Sequence, residues 1–403
     1  MAPRDRAVKF RDDKVVAFLL VAGLFLPTSV NGEARVSLVG IGFLILLLTY
    51  LFLIWNHGAR LNAVAWISGP ILMVLSLSTL IVWHESTFPF GWGLLATYST
   101  LATLLALNLR EVRPGRLVSA AFFLTNIIWI VCGAAVLVGN EWVGGVLTAW
   151  YSDFYPELLP GMLSLHKPIF TFGTHSLAGV FTYLFFWLNW ETFKVRRSIW
   201  SLVFALSQLV LLLGLTSYTS FAFLALGITQ VTVWLWKNNR PALLALAACL
   251  VVAGFLAGGL VVEQVYELWQ NPQISAVVFT NESGPLGRYR AGGFLSGTIG
   301  YLWNHPFSPI GLTLPSFLFL GDSGPLQYLV RGSVPLLFLI YFGLYKFFRY
   351  NSPSRNHALL LFLVCLAFET GFDALPYFRT QFLLPFFVVY LKEIEPPQSM
   401  DRV

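Results

Sequence analysis

Apolar runs long enough to cross a bilayer recur along this 403-residue chain. A transmembrane helix needs about 20 mostly apolar residues. Twelve stretches qualify: residues 15–31, 36–55, 63–83, 91–109, 117–138, 173–190, 198–214, 216–236, 241–262, 324–348, 357–374 and 376–391. In hydrocarbon the backbone must satisfy its own hydrogen bonds, so such runs fold as helices. A large barrel would show period-two alternation in segments of about ten residues, and the chain shows none. The expected fold class is an all-α polytopic membrane protein of about 12 transmembrane helices, forming one integral domain over residues 1–403.

Composition agrees: 57% of residues are hydrophobic, 11% are charged, and mean hydropathy is +0.72. Soluble domains carry about 25% charged residues, so an ordinary soluble enzyme is excluded. Cys132, Cys249 and Cys365 all lie in apolar runs with no metal-ligand spacing, and read as packing residues. The first run follows a basic segment at 4–14, as in a signal peptide. No small-residue cleavage site follows it, so it reads as a span.

Charge sets the expected orientation, because cytoplasmic loops are enriched in Lys and Arg. With the N-terminus inside, nineteen of the 25 basic residues and eight of the 19 acids fall on the inner side. The inner face then has an excess of eleven positive charges and the outer side an excess of five negative ones, which together give the overall +6. Both termini are expected in the cytoplasm.

Two long polar segments then fall outside, at 139–172 and 263–323. Long loops are usually functional, and stretches such as 150–155 suit short interfacial helices. The inner loops are short, with no Walker or dinucleotide pattern. Chemistry is therefore expected outside, on pre-activated substrates. Five outer basic residues are unexplained by topology: Lys167, Arg288, Arg290, Arg331 and Arg379. The guanidinium fork suits phosphate oxygens, so these residues are candidates for a diphosphate site. Pairing with Glu282, Asp322 or Asp373 is the structural alternative. Asp322 and His305 are candidate bases for a hydroxyl, although Asp322 also suits a helix cap. Trp150, Tyr289, Trp303 and His175 are candidate sugar contacts, set against the aromatic enrichment common to membrane interfaces.

Residues 165–345 carry, in order, His166-Lys167-Pro168, Gly214 through Ser220, Gly287-Arg288-Tyr289, Leu302-Trp303-Asn304-His305-Pro306 and Asp322-Ser323-Gly324-Pro325-Leu326, and with these the stretch resembles the O-antigen polymerase and ligase superfamily of bacterial membrane glycosyltransferases. Gly287-Arg288-Tyr289 resembles the start of that family's large periplasmic loop. Leu302-Trp303-Asn304-His305-Pro306 through Gly311 resembles its Pro-hydrophobic-Gly segment. Asp322-Ser323-Gly324-Pro325-Leu326 resembles the opening of its next helix. His166-Lys167-Pro168 to Ser176, and Gly214 through Ser220, resemble two upstream motifs. Tyr218 stands where the family has Arg, and His175-Ser176 where it has Asn. The ligase branch usually has His at the position of Asp322, so the polymerase branch is favoured.

The resemblance implies a metal-independent, cofactor-free glycosyltransferase in the bacterial inner membrane. Such an enzyme joins undecaprenyl-diphosphate-linked oligosaccharide repeats at the periplasmic face, with a chain-length regulator protein as a possible partner. Arg288, Asp322 and His305 would be catalytic. Arg288, Arg290, Lys167, Arg331 and Arg379 would bind diphosphate. A ligase transferring glycan to lipid A–core is the near alternative. A secondary transporter, which would show paired repeats and broken helices, and an inert assembly scaffold are the distant ones.

Overall fold

A computed structural model describes residues 3–85, 88–152, 158–238, 241, 289, 292–293, 295–306, 308–316, 318, 323–372 and 374–394. Its elements in chain order are α1 (Pro3–Phe25), β1 (Ser29–Val30), β2 (Glu33–Ala34), α2 (Val36–His57), α3 (Leu61–Ala63), a π turn (Val64–Ser68), α4 (Gly69–Glu85), α5 (Trp92–Ala106), α6 (Arg116–Leu137), α7 (Glu141–Tyr151), α8 (Leu158–Ser164), α9 (His175–Arg196), α10 (Ile199–Gly214), α11 (Tyr218–Asn238), α12 (Ser296–Asn304), α13 (Gly324–Asn351), α14 (Arg355–Glu369) and α15 (Phe378–Ile394). The chain is a helical membrane protein. Among the described residues, five stretches are long and apolar enough to span a bilayer, and α5 and α10 are shorter apolar helices. Helices occupy eleven of the twelve expected spans; the run 241–262 lies outside the described residues apart from residue 241.

Many large apolar side chains face outward, including Ile41, Leu44, Trp66, Met73, Val131 and Phe338. A soluble monomer rarely exposes contiguous apolar surface on this scale, but hydrocarbon accepts it. Inside, one apolar cluster runs through most helices. Trp129 stacks on Phe170 at 4.8 Å, and Phe172 on Phe181 at 4.7 Å. Asn189 donates to Asn126 at 2.7 Å between α9 and α6, both residues buried. Such interhelical polar pairs hold spans together where water cannot compete.

Several boundaries differ from the sequence reading. The first span ends at Phe25 rather than residue 31, and Pro27 follows. Asn31 and Gly32 then have φ of 53° and 83° and close a two-residue hairpin between β1 and β2. This is the turn chemistry Asn-Gly favours. In the third span Pro70 has no N–H to give Trp66, and the ladder widens into the π turn just before it. The tenth span is broken at Gly332 (φ −151°) and Ser333 (φ 57°), just before Pro335. Finally, 169–172 belongs to the core rather than to an outer loop, since Ile169, Phe170 and Phe172 are all buried.

At the ends assigned inside, charges knit the helices together. Asp13 accepts from Gly115 N, Leu117 N and Val118 N at 2.8–3.0 Å and caps α6 from another helix. His57 pairs with Asp12 at 2.8 Å, and Arg196 with Glu393 at 2.9 Å. Lys392 donates to the carbonyl of Leu109. These contacts join α1 to α2 and α6, α9 to α15, and α15 to the segment before α6.

Candidate functional site

The start of α13, expected on the outer side, is built around a carboxylate. Ser323 is its N-cap, accepting from Leu326 N at 3.5 Å, and Pro325 lies in its first turn. Pro is favoured there because its missing N–H would lack a helical partner anyway. Gly324, Tyr328 and Arg331 follow at helical spacing and form one stripe along the first two turns. Gly324 and Tyr328 meet the end of α14, where Glu369 is fully buried.

Glu369 accepts the Tyr328 hydroxyl at 2.7 Å and the backbone N–H groups of Ala374 and Leu375 at 2.7 and 2.6 Å. The two amides close the corner that turns α14 into α15. A Cβ on Gly324 would overlap the carboxylate, so glycine is required for α13 to start against it. Tyr341 stands edge-on to Tyr328, with ring centroids 5.8 Å apart.

Tyr289 reaches the same corner. Its hydroxyl donates to the carbonyl of Thr370, the residue after Glu369. One motif, Gly287-Arg288-Tyr289, and another, Asp322-Ser323-Gly324, thus each place a described member at the outer end of α14. Arg288, Arg290 and Asp322 themselves lie outside the described residues.

The remaining sequence candidates divide into two groups. Arg331 is 1% exposed and donates to the carbonyls of Gly311 and Thr313 at 2.8 and 3.2 Å. Ile310 N and Gly311 N answer with bonds to the Val330 and Arg331 carbonyls. Arg331 therefore clamps the end of the second outer segment onto α13, just before the helix breaks. Arg379 is 0% exposed and donates to the carbonyls of Gly23, Leu24 and Leu26. A cation suits the negative end of a helix, and this one closes α1. It also lies over the Tyr151 ring, 5.4 Å from the centroid. Both guanidiniums are engaged by the fold, on different sets of elements.

Lys167 is half-buried just after α8. His175 opens α9, with Nδ1 3.4 Å from the Met162 sulfur. Trp303 is 86% exposed on α12. His305, also exposed, tilts against Tyr301 at 5.0 Å. Trp150 is partly exposed on α7. None of these side chains is hydrogen-bonded to Glu369, which accepts from Tyr328, Ala374 and Leu375. Among the described residues, no three His, Cys, Asp or Glu side chains converge as a metal site.

The sequence reading missed Glu369 and Tyr328. The available signal was a carboxylate inside the apolar run 357–374, since ionisable groups in spans are costly and usually have a role. The chain matches no family model, no curated protein and no solved structure.

Proposed function

We propose that this chain is a membrane glycosyltransferase that polymerises undecaprenyl-diphosphate-linked oligosaccharide repeats at the periplasmic face of the bacterial inner membrane. The observation that carries the reading is the corner at Glu369. Two candidate motifs far apart in sequence each have one residue fixed there, Tyr289 through Thr370 and Gly324 through the carboxylate. The neighbours of those residues in the chain are Arg288 and Asp322.

In this reaction the acceptor hydroxyl oxygen bonds to the anomeric carbon of the growing glycan. The bond from that carbon to the diphosphate oxygen breaks, and its electron pair leaves with the lipid diphosphate. Asp322 or His305 takes the hydroxyl proton. Arg288, helped by Arg290 and Lys167, stabilises the charge developing on the diphosphate. Exposed aromatics, Trp303 and Trp150 among them, hold sugar rings. Glu369, being buried, is a positioning residue. Arg331 and Arg379 brace the scaffold rather than meet the substrate. A chain-length regulator is the proposed protein partner.

The test is polymerisation by the purified chain supplied with lipid-diphosphate-linked repeats. Products longer than one repeat, lost in Arg288→Gln, are expected. A ligase would extend nothing until lipid A–core was added. The break in α13 gives a second reading, a secondary transporter, one specific observation in its favour. Flux of lipid-linked repeats across proteoliposomes without chain growth would select it.

A further inference from the structure

A second site lies at the other end of the molecule. The inner ends of α9 and α11 and the start of α14 line a half-open cavity of ≈ 870 Å³. Arg355 and Glu369 stand at opposite ends of the 15-residue helix α14, about 21 Å apart at 1.5 Å per residue. The cavity is therefore remote from the outer corner and takes no part in the reaction proposed there.

Its lining is chemically uneven. Lys194, Lys237 and Arg355 supply three positive charges and Glu191 one negative charge. Glu191 is already engaged by Lys194 at 2.7 Å. Lys and Arg therefore outnumber Glu in the lining by two charges. Trp190 and Trp234, edge-to-face at 5.4 Å, form an apolar wall. Deeper along α11, Gln230 gives its amide N–H to the Tyr183 hydroxyl at 2.9 Å. Its Oε1 is shielded from solvent and has no partner among the described residues. A buried acceptor of this kind asks for a donor.

Together these features specify a ligand with a phosphate for the cations, an apolar part for the tryptophans and a hydroxyl for Gln230. We infer that the cavity binds the headgroup of an anionic glycerophospholipid, one that carries both a phosphate diester and free hydroxyls. A lipid is favoured over a soluble phosphate because the walls are the ends of apolar helices. Basic pockets between spans on the inner side are also where anionic headgroups bind.

The experiment uses the purified full chain in nanodiscs of phosphatidylcholine doped with phosphatidylglycerol, followed by native mass spectrometry and thermal unfolding. The wild type should retain phosphatidylglycerol and gain stability as its fraction rises. The double variant Lys237→Ala/Arg355→Ala should lose at least tenfold in apparent affinity. The double variant Arg110→Ala/Arg116→Ala, with equal charge removed elsewhere on the inner face, should retain it. Gln230→Leu should narrow the preference for phosphatidylglycerol over phosphatidic acid. If the cavity variant does not fold, Lys237→Gln alone must still weaken retention by about threefold. Equal retention of phosphatidylcholine, or equal losses in the two double variants, overturns the proposal. Stabilisation by glycerol 3-phosphate matching that by phosphatidylglycerol assigns the cavity to a soluble phosphate and overturns the lipid.

Discussion

The Tyr328 hydroxyl is hydrogen-bonded to the buried carboxylate of Glu369 at 2.7 Å and ties the second turn of α13 to the last residue of α14. Bonds to charged groups contribute about 1.5–3 kcal/mol. Tyr328→Phe should lower stability by about that amount, read as a fall in thermal midpoint in detergent. Glu369→Ala should cost more, about 3 kcal/mol or above, because it orphans two amides and a hydroxyl at about 1–3 kcal/mol each. If both variants unfold like the wild type, the corner is not held by this carboxylate.

The corner also shows what a sequence reveals. Apolar length located the helices, because a span must satisfy its backbone internally whatever packs around it. Phe25 as a terminus was legible but passed over: Pro27, Thr28 and Ser29 already interrupt the apolar run after Leu26, and the Asn31-Gly32 pair marks the turn. Arg331 and Arg379 were legible as charges out of place. Their partners were not, because those partners are carbonyls from residues 18 to 356 positions away. Glu369 looked like one more acid at an outer helix end. Its weight comes from Gly324 and Tyr328, which sequence spacing cannot bring to it. On the inner side, the basic excess was plain, but Asp13 as a cap for α6 depends on two helices meeting.

Asp13 satisfies three N–H groups at the start of α6. Caps of this kind contribute about 1–2 kcal/mol. Asp13→Ala should destabilise by roughly that amount, and Asp13→Asn, which keeps an acceptor, by less. Hydrogen exchange should speed up at Leu117 and Val118 first. Unchanged exchange there would remove the cap from the account.

Arg379 gives its carbonyl partners a fork of donors at the end of α1. Lysine supplies the charge but not the fork. Arg379→Lys should therefore cost about 2 kcal/mol or more, with the buried charge left poorly paired. The chain should become more sensitive to protease near residues 26–35. A silent Arg379→Lys would mean that charge alone suffices, and would reopen Arg379 as a ligand for anions.

Tyr289 separates function from stability. Its bond to Thr370 is solvent-exposed, so Tyr289→Phe should leave the thermal midpoint within about 0.5 kcal/mol of wild type. If the bond positions the loop that carries Arg288, chain growth should slow about tenfold, with donor binding less affected. Wild-type rates in Tyr289→Phe would detach the Arg288 motif from this corner.

Ser333 is held at φ 57° and ψ −161°, a region that only glycine occupies without strain. Holding a serine there costs about 1–3 kcal/mol. Replacing it with glycine loosens the unfolded chain by about 0.5–1 kcal/mol. The balance favours glycine, so Ser333→Gly should stabilise the protein by about 1 kcal/mol, and Ser333→Val should destabilise it. The pair also bears on mechanism. If the break only lets α13 pass Val74, which a Cβ on Gly332 would crowd, Ser333→Gly should polymerise normally. If the break is a hinge that moves, relieving its strain should change turnover even as stability rises. A changed rate of chain growth together with a higher thermal midpoint would mark Gly332–Ser333 as a working joint.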